Sequence, residues 1–294
     1  MIVLAPSLSF VVLGTLRDAI PLSTQLRALP GYLSDTFIHG DLGYSAEYAK
    51  PLLDVVRDGL PVDLELLAGG VVLGVGAGLA TAMASAARRG RPVDRALAVG
   101  SAAALSVPVY WFGFAVLVLF APNVGYVWQI PFVSSYGAYV PLSDDPLKWL
   151  QALWVPWVAL ALPLAAMCHR MARAARADAL LEDHVRTARA KGVREALVMR
   201  RHALRTALPP VIALVSVNMA LMVTNVILIE TAFRLPGFFH EAGVGQFLGE
   251  ETGHLPGADV VQALILEAAV LISIAMLLAD LLHARLDPRA RAVG

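Results

Sequence analysis

Five long uncharged stretches constrain this 294-residue chain more than any other feature. Residues 66–87, 96–121, 149–168 and 206–229 contain no Asp, Glu, Lys or Arg, and residues 260–279 contain only Glu267. A helix rises ~1.5 Å per residue, so about 20 apolar residues cover the hydrocarbon core of a bilayer. Five such stretches in one short chain predict an all-α, polytopic membrane protein. Charged residues make up 16% of the chain, against about 25% in soluble domains. A sixth stretch, residues 1–16, is uncharged but interrupted by Pro6 and Gly14. It lacks a basic n-region and a small-residue cleavage site, so it reads as a short first span rather than a signal peptide. The expectation is a bundle of five to six transmembrane helices.

Basic residues set the orientation. Seventeen of the 23 Lys and Arg residues fall in residues 88–95, 170–205 and 283–294, on one side of that topology. The positive-inside rule places this side, and with it the C-terminus, in the cytoplasm. Residues 17–65, 123–148 and 231–259 then lie outside. Trp111, Trp128, Trp149, Trp154 and Trp157 fall near the expected interfaces, where aromatic belts are usual. Glu230 and Asp280 fall near membrane edges and are expected to be solvated or capping.

Several kinds of chemistry are excluded by the residues themselves. Net charge is zero, which gives no field to collect nucleic acid. Cys168 is the single cysteine, so no disulfide framework or cysteine-based metal site forms. A nucleotide-binding P-loop needs a Lys directly after its second glycine. Lys50, Lys148 and Lys191 instead follow Ala49, Leu147 and Ala190. ATP is therefore not hydrolysed on this chain. The seven histidines form no His-x3-His or HExxH pattern, and no metal site, catalytic residue or cofactor is expected.

Polar and small residues inside the spans carry more information. Gly70, Gly74 and Gly78 recur every four residues along one helix face, the spacing that lets membrane helices approach closely. Asn218 and Asn225 are two turns apart on one face, placed either to bond a neighbouring helix or to line a translocation path. A carboxylate at the bilayer centre costs ~2.5–3.5 kcal/mol. Glu267 is therefore expected to face the bundle interior, with a partner or a proton. One alternative follows: an ion-coupled secondary transporter with Glu267 as its proton site.

The cytoplasmic segment 170–205 reads as two short helices, 180–191 and 193–204, meeting at Gly192. That is more order than a basic loop at a lipid surface needs. Here the residues carry a resemblance. Asp183-His184-Val185-Arg186-Thr187-Ala188-Arg189-Ala190-Lys191-Gly192-Val193, then Arg201-His202-Ala203-Leu204-Arg205-Thr206-Ala207-Leu208-Pro209, resembles the cytoplasmic signature of bacterial ABC importer permeases of the dipeptide, oligopeptide and nickel type. Residues 40–45 and 88–94, Ser106-Val107-Pro108-Val109-Tyr110-Trp111, Glu230-Thr231-Ala232-Phe233, Pro236-Gly237 and Leu286-Asp287-Pro288-Arg289 match in the same order. The resemblance covers residues 21–289. The chain departs from the family at Glu267, where an apolar residue is usual, and at Leu235, where Trp is frequent.

The resemblance implies a single permease domain over residues 1–294. Its parts are a first span in 1–20, an extracytoplasmic segment 21–65, a five-helix core 66–282 and a cytoplasmic tail 283–294. It further implies half of a translocation path for peptides or a similar small solute in the bacterial inner membrane. The implied partners are a second homologous permease subunit in a heterodimer, two cytosolic ABC ATPases, an extracytoplasmic substrate-binding protein and membrane lipid. Arg186, Thr187, Ala188, Arg189, Ala190, Lys191, Gly192 and Val193 are implied to dock on the ATPase.

Overall fold

A computed structural model describes residues 3–16, 21–45, 49–88, 90–122, 128–130, 132–133, 137–179, 204–238 and 258–286. The expected docking segment, residues 186–193, lies outside the described residues. Helices α1 (Leu4–Leu16) and α2 (Leu22–Ser34) come first. A π-helical turn, Asp35–His39, ends on Gly40 in the left-handed region. A two-residue antiparallel ladder of β1 (Tyr44–Ser45) and β2 (Lys50–Pro51) then leads into α3 (Leu52–Ala87). The remaining helices are α4 (Pro92–Ser106), α5 (Val109–Phe120), α6 (Pro146–Ala179), α7 (Leu204–Phe233) and α8 (Ala258–Leu286). The protein is an all-α polytopic membrane protein. Helices α3, α6, α7 and α8 are each long and apolar enough to cross a bilayer.

Three features add detail to these expectations. The uncharged stretch 96–121 is not one straight span, because α4 and α5 meet at 97° across Val107 and Pro108. Proline has no N–H for the helical ladder and disfavours helical geometry in the residue before it. Helix α3 begins at Leu52, so residues 52–65 of the segment expected outside are helical. Its buried positions Leu52, Val55, Val62 and Leu66 recur at helical spacing. At 36 residues it is ~54 Å long and projects well beyond the hydrocarbon core. Helix α1 has 13 residues, or ~20 Å, short of that core.

The glycine stripe organises the bundle as its spacing predicts. A Cβ on Gly70 would meet Leu160 Cβ at 2.9 Å, one on Gly74 would meet Leu164 Cβ at 3.0 Å, and one on Gly78 would strike Cys168 and the Ala165 carbonyl. These contacts advance together along both helices, so α3 and α6 are packed parallel. Two parallel spans require the chain between them to return across the membrane, and α4 and α5 make that return despite their bend. At its start, α4 is tied to Ser85 near the end of α3, because the Ser85 hydroxyl donates to Asp94. In α5, Gly113 meets Phe233 and Ile229 at the far end of α7. Helix α8 runs parallel to α3 too, with Leu52, Val55, Val260 and Ala263 sharing one buried cluster around Phe238. The main core fills the space between α3, α6 and α7, with Leu66, Leu153, Leu160, Val211 and Ile229 all inaccessible.

Candidate functional site

Polar side chains concentrate at the two ends of this bundle. At the end that the basic residues assign to the cytoplasm, Asp94 is 4% exposed although charged. It accepts from Ser85 Oγ, from the Gly90 backbone N–H at 3.0 Å and from Arg173 Nη2, 3.1 and 3.2 Å from its two oxygens. A buried carboxylate is tolerated when donors surround it in this way. One side chain thereby ties the end of α3, the turn after it, the start of α4 and the C-terminal half of α6. His169 is buried one turn before Arg173, with Nδ1 3.2 Å from the Thr81 hydroxyl of α3.

At the opposite end three carboxyl groups converge. Asp63 of α3 and Glu230 of α7 are fully buried, and Glu267 of α8 is 5% exposed. Asp63 Oδ2 accepts the Phe238 backbone N–H at 3.2 Å, while among the described residues its Oδ1 and both oxygens of Glu267 have no hydrogen-bond partner. Among the described residues no three His, Cys, Asp or Glu side chains are arranged to hold a metal ion. Gly237 makes the convergence possible: a Cβ there would overlap Asp63 and the carboxyl of Glu230.

This geometry corrects one sequence expectation. Glu230 is neither solvated nor a simple cap, because the turn from Leu235 to Phe238 folds back over it. Glu267 faces the bundle interior as expected, nine residues from the start of α8. Of the three residues expected to line a path, only Glu267 joins this cluster. Asn218 donates Nδ2 to the Leu214 carbonyl of its own helix at 2.8 Å, not to a neighbouring helix. Asn225 is half-buried on α7. Asp280 is exposed.

Beside the cluster is a feature the sequence did not announce. A cavity of about 720 Å³ opens between the projecting part of α3, the loop before α6 and Pro236. Lys50, Asp58, Glu65, Tyr139 and Ser143 supply its polar lining. Lys50 Nζ is 2.9 Å from Asp58 Oδ2. Glu65 Oε2 accepts from Tyr139 OH at 3.0 Å and from Trp149 Nε1 at 2.8 Å. Trp157 Nε1 donates to the Glu65 backbone carbonyl at 2.8 Å, and the Trp149 and Trp157 rings meet edge to face. Burial, then the bond to Glu65, raises the Tyr139 hydroxyl above the usual tyrosine range. Trp149 and Trp157 thus do more than anchor in a belt; they brace Glu65. The periodic burial of α3 was the available signal, since it places Asp58 and Glu65 seven residues apart on one face.

Comparison with known proteins agrees with this architecture. Residues 70–292 match the family model of the binding-protein-dependent transport system inner membrane component. The chain is similar to a "Probable peptide ABC transporter permease protein" of Sinorhizobium fredii. The two are 28% identical over 292 residues, 99% of this chain and 88% of that protein. It is also similar to the "Probable D,D-dipeptide transport system permease protein" of Escherichia coli. That pair is 31% identical over 274 residues, 88% of this chain and 78% of the relative.

Proposed function

Because the chain belongs to the family of binding-protein-dependent transport system inner membrane components, we propose that it forms half of the peptide path of an ABC importer. Its counterpart is a second, homologous permease subunit. In this reading an extracytoplasmic binding protein delivers a short peptide to the face formed by the projecting α3 and the loop before α6. Two cytosolic ATPases act on the opposite face through residues 186–193, in one permease domain whose C-terminus is cytoplasmic. ATP hydrolysis belongs to those partners, since no lysine of this chain follows a glycine. The observation that carries the reading is the extent of the family match. It runs from the glycine stripe of α3 through the whole cytoplasmic segment to the tail, and both relatives above are described as peptide permeases.

The test is uptake. The permease, co-expressed with its partner subunits, is expected to support ATP-dependent uptake of labelled trialanine, abolished by omitting the ATPases. Uptake that persists without them, driven by a proton gradient, overturns the reading in favour of a secondary transporter. Reporters fused within residues 170–205 and at Ser135 should report cytoplasm and exterior respectively.

A further inference from the structure

The cavity of about 720 Å³ beside Glu65 is sized for a small ligand, since such sites commonly enclose ~300–1,000 Å³. Its charges are arranged in a definite order. Both side-chain donors that hold Glu65 act on the same oxygen, Oε2. Among the described residues no donor reaches Oε1, and no Lys or Arg pairs with this carboxylate. A carboxylate held rigid through one oxygen, with the other open, is a ready acceptor for an ammonium group. Two turns of α3 further out, Asp58 is paired with Lys50. Lys50 offers three donors in fixed charge, of which Asp58 engages one side. Seven residues of helix separate the two carboxyl positions by ~10 Å along the axis. The wall between them is apolar, with Pro61, Val62 and Leu142.

We propose that this cleft is a receiving site for a short zwitterionic peptide, with Glu65 taking the α-ammonium group and Lys50 the terminal carboxylate. The ~10 Å between the Asp58 and Glu65 positions is the span of about two to three extended residues, and Lys50 stands at the Asp58 end. The apolar wall is indifferent to side-chain identity, and recognition rests on the two termini. Tyr139 and Trp149 are positioning residues, because they fix the carboxylate without meeting the ligand's charge. The inference rests on the peptide reading for its substrate class. It adds a site on the permease itself.

Trp149 supplies the readout, since its indole N–H bonds the oxygen next to the proposed contact. Trialanine is titrated into the full-length permease in lipid nanodiscs while tryptophan emission is followed, with Trp149→Phe as the control for signal origin. A saturable change is expected for trialanine. It should weaken about tenfold for N-acetyl-trialanine, as loss of a charge-assisted bond implies. Glu65→Gln keeps an acceptor for Tyr139 and Trp149 and should erase that discrimination. Lys50→Met should erase discrimination between trialanine and its C-terminal amide. Equal binding of free and acetylated peptide by the wild-type chain, or no saturable change, overturns the proposal. The uptake assay keeps the two readings apart. Termini-selective binding without peptide uptake leaves the cleft standing and removes the peptide-import reading, whereas uptake with equal binding does the reverse.

Discussion

Arg173 and Asp94, 79 residues apart in sequence, form a two-oxygen clasp where α3, α4 and α6 meet, with 3.1 and 3.2 Å between Nη2 and the carboxylate. Asp94 is almost wholly buried and the Arg173 side chain is 42% exposed. The pair therefore acts less as a source of net stability than as a geometric constraint. Removing the cation strands a buried charge, whereas removing both partners does not.

Arg173→Met should accordingly cost about 1–3 kcal/mol, less than a fully buried pair because solvent screens the guanidinium. Asp94→Asn together with Arg173→Met should recover part of that loss. Thermal unfolding of the two single variants and the double variant measures the coupling. Strict additivity would show that the clasp contributes no interaction of its own.

The glycines of α3 give a paired prediction with an internal control. Gly76 meets nothing within 4 Å, while a Cβ on Gly78 would strike Cys168 and the Ala165 carbonyl. Gly76→Ala should leave the protein monodisperse and as stable as the wild type. Gly78→Leu should separate α3 from α6 and cost at least ~1–3 kcal/mol through overpacking. Size-exclusion chromatography after mild heating distinguishes the two. Equal tolerance would contradict the parallel contact of these helices.

That contact was legible in sequence because it needs only a four-residue period, a local property. The carboxyl cluster was not. Asp63, Glu230 and Glu267 are separated by more than 150 and by 37 positions, and nothing local says that three helices will bring them together. Taken alone, Glu230 reads as a solvated or capping residue at a membrane edge, and Asp63 draws no notice. Counting uncharged residues also hid the outer part of α3, since Asp54, Arg57, Asp58, Asp63 and Glu65 end the apolar run. Its helical period survived beneath those charges. The break at Pro108 was masked by the same averaging, because composition over residues 96–121 says nothing of direction.

Glu267 tests the meaning of that cluster. As a structural member it needs only a polar group beside Asp63, and a glutamine amide supplies one without a proton. Glu267→Gln should preserve uptake and raise the unfolding midpoint by a few degrees, about 1 kcal/mol, since a neutral amide is cheaper to bury than a carboxylate. Loss of uptake in a folded variant would instead give the carboxyl a proton-handling role.

Asp145 precedes α6 and accepts from the backbone N–H groups of Leu147 at 3.0 Å and Lys148 at 3.1 Å. The bond from Lys148 is the main reason its carboxyl sits below the ordinary value of 3.8. A depressed folded pKa means that the capping contribution is present above 3.8 and is lost as pH falls through the lower, folded value. Hydrogen exchange at Leu147 and Lys148 should therefore quicken in Asp145→Ala at neutral pH. The wild type should approach the variant only under acid conditions below pH 3.8. Identical exchange in both proteins at neutral pH would remove the cap.

The docking proposal rests on residues 186–193 and has the sharpest functional consequence. Arg186 and Arg189 lie three residues apart and Lys191 two further on, so a helix through them offers several charges to an acidic partner surface. Ala188 is small enough to be covered by that partner. Gly192 follows as the residue best able to leave a helix with positive φ, where another residue costs ~1–2 kcal/mol. The contact need not contribute to folding of the permease, because it is made with another chain. Ala188→Glu and Gly192→Val should then insert in the membrane at wild-type levels and unfold at the wild-type temperature. Peptide-stimulated ATP hydrolysis and uptake by the assembled transporter should fall together, by at least tenfold if about 1.4 kcal/mol of coupling is lost. Reduced insertion would point to a structural turn, and unchanged hydrolysis and uptake in both variants would place the docking surface elsewhere.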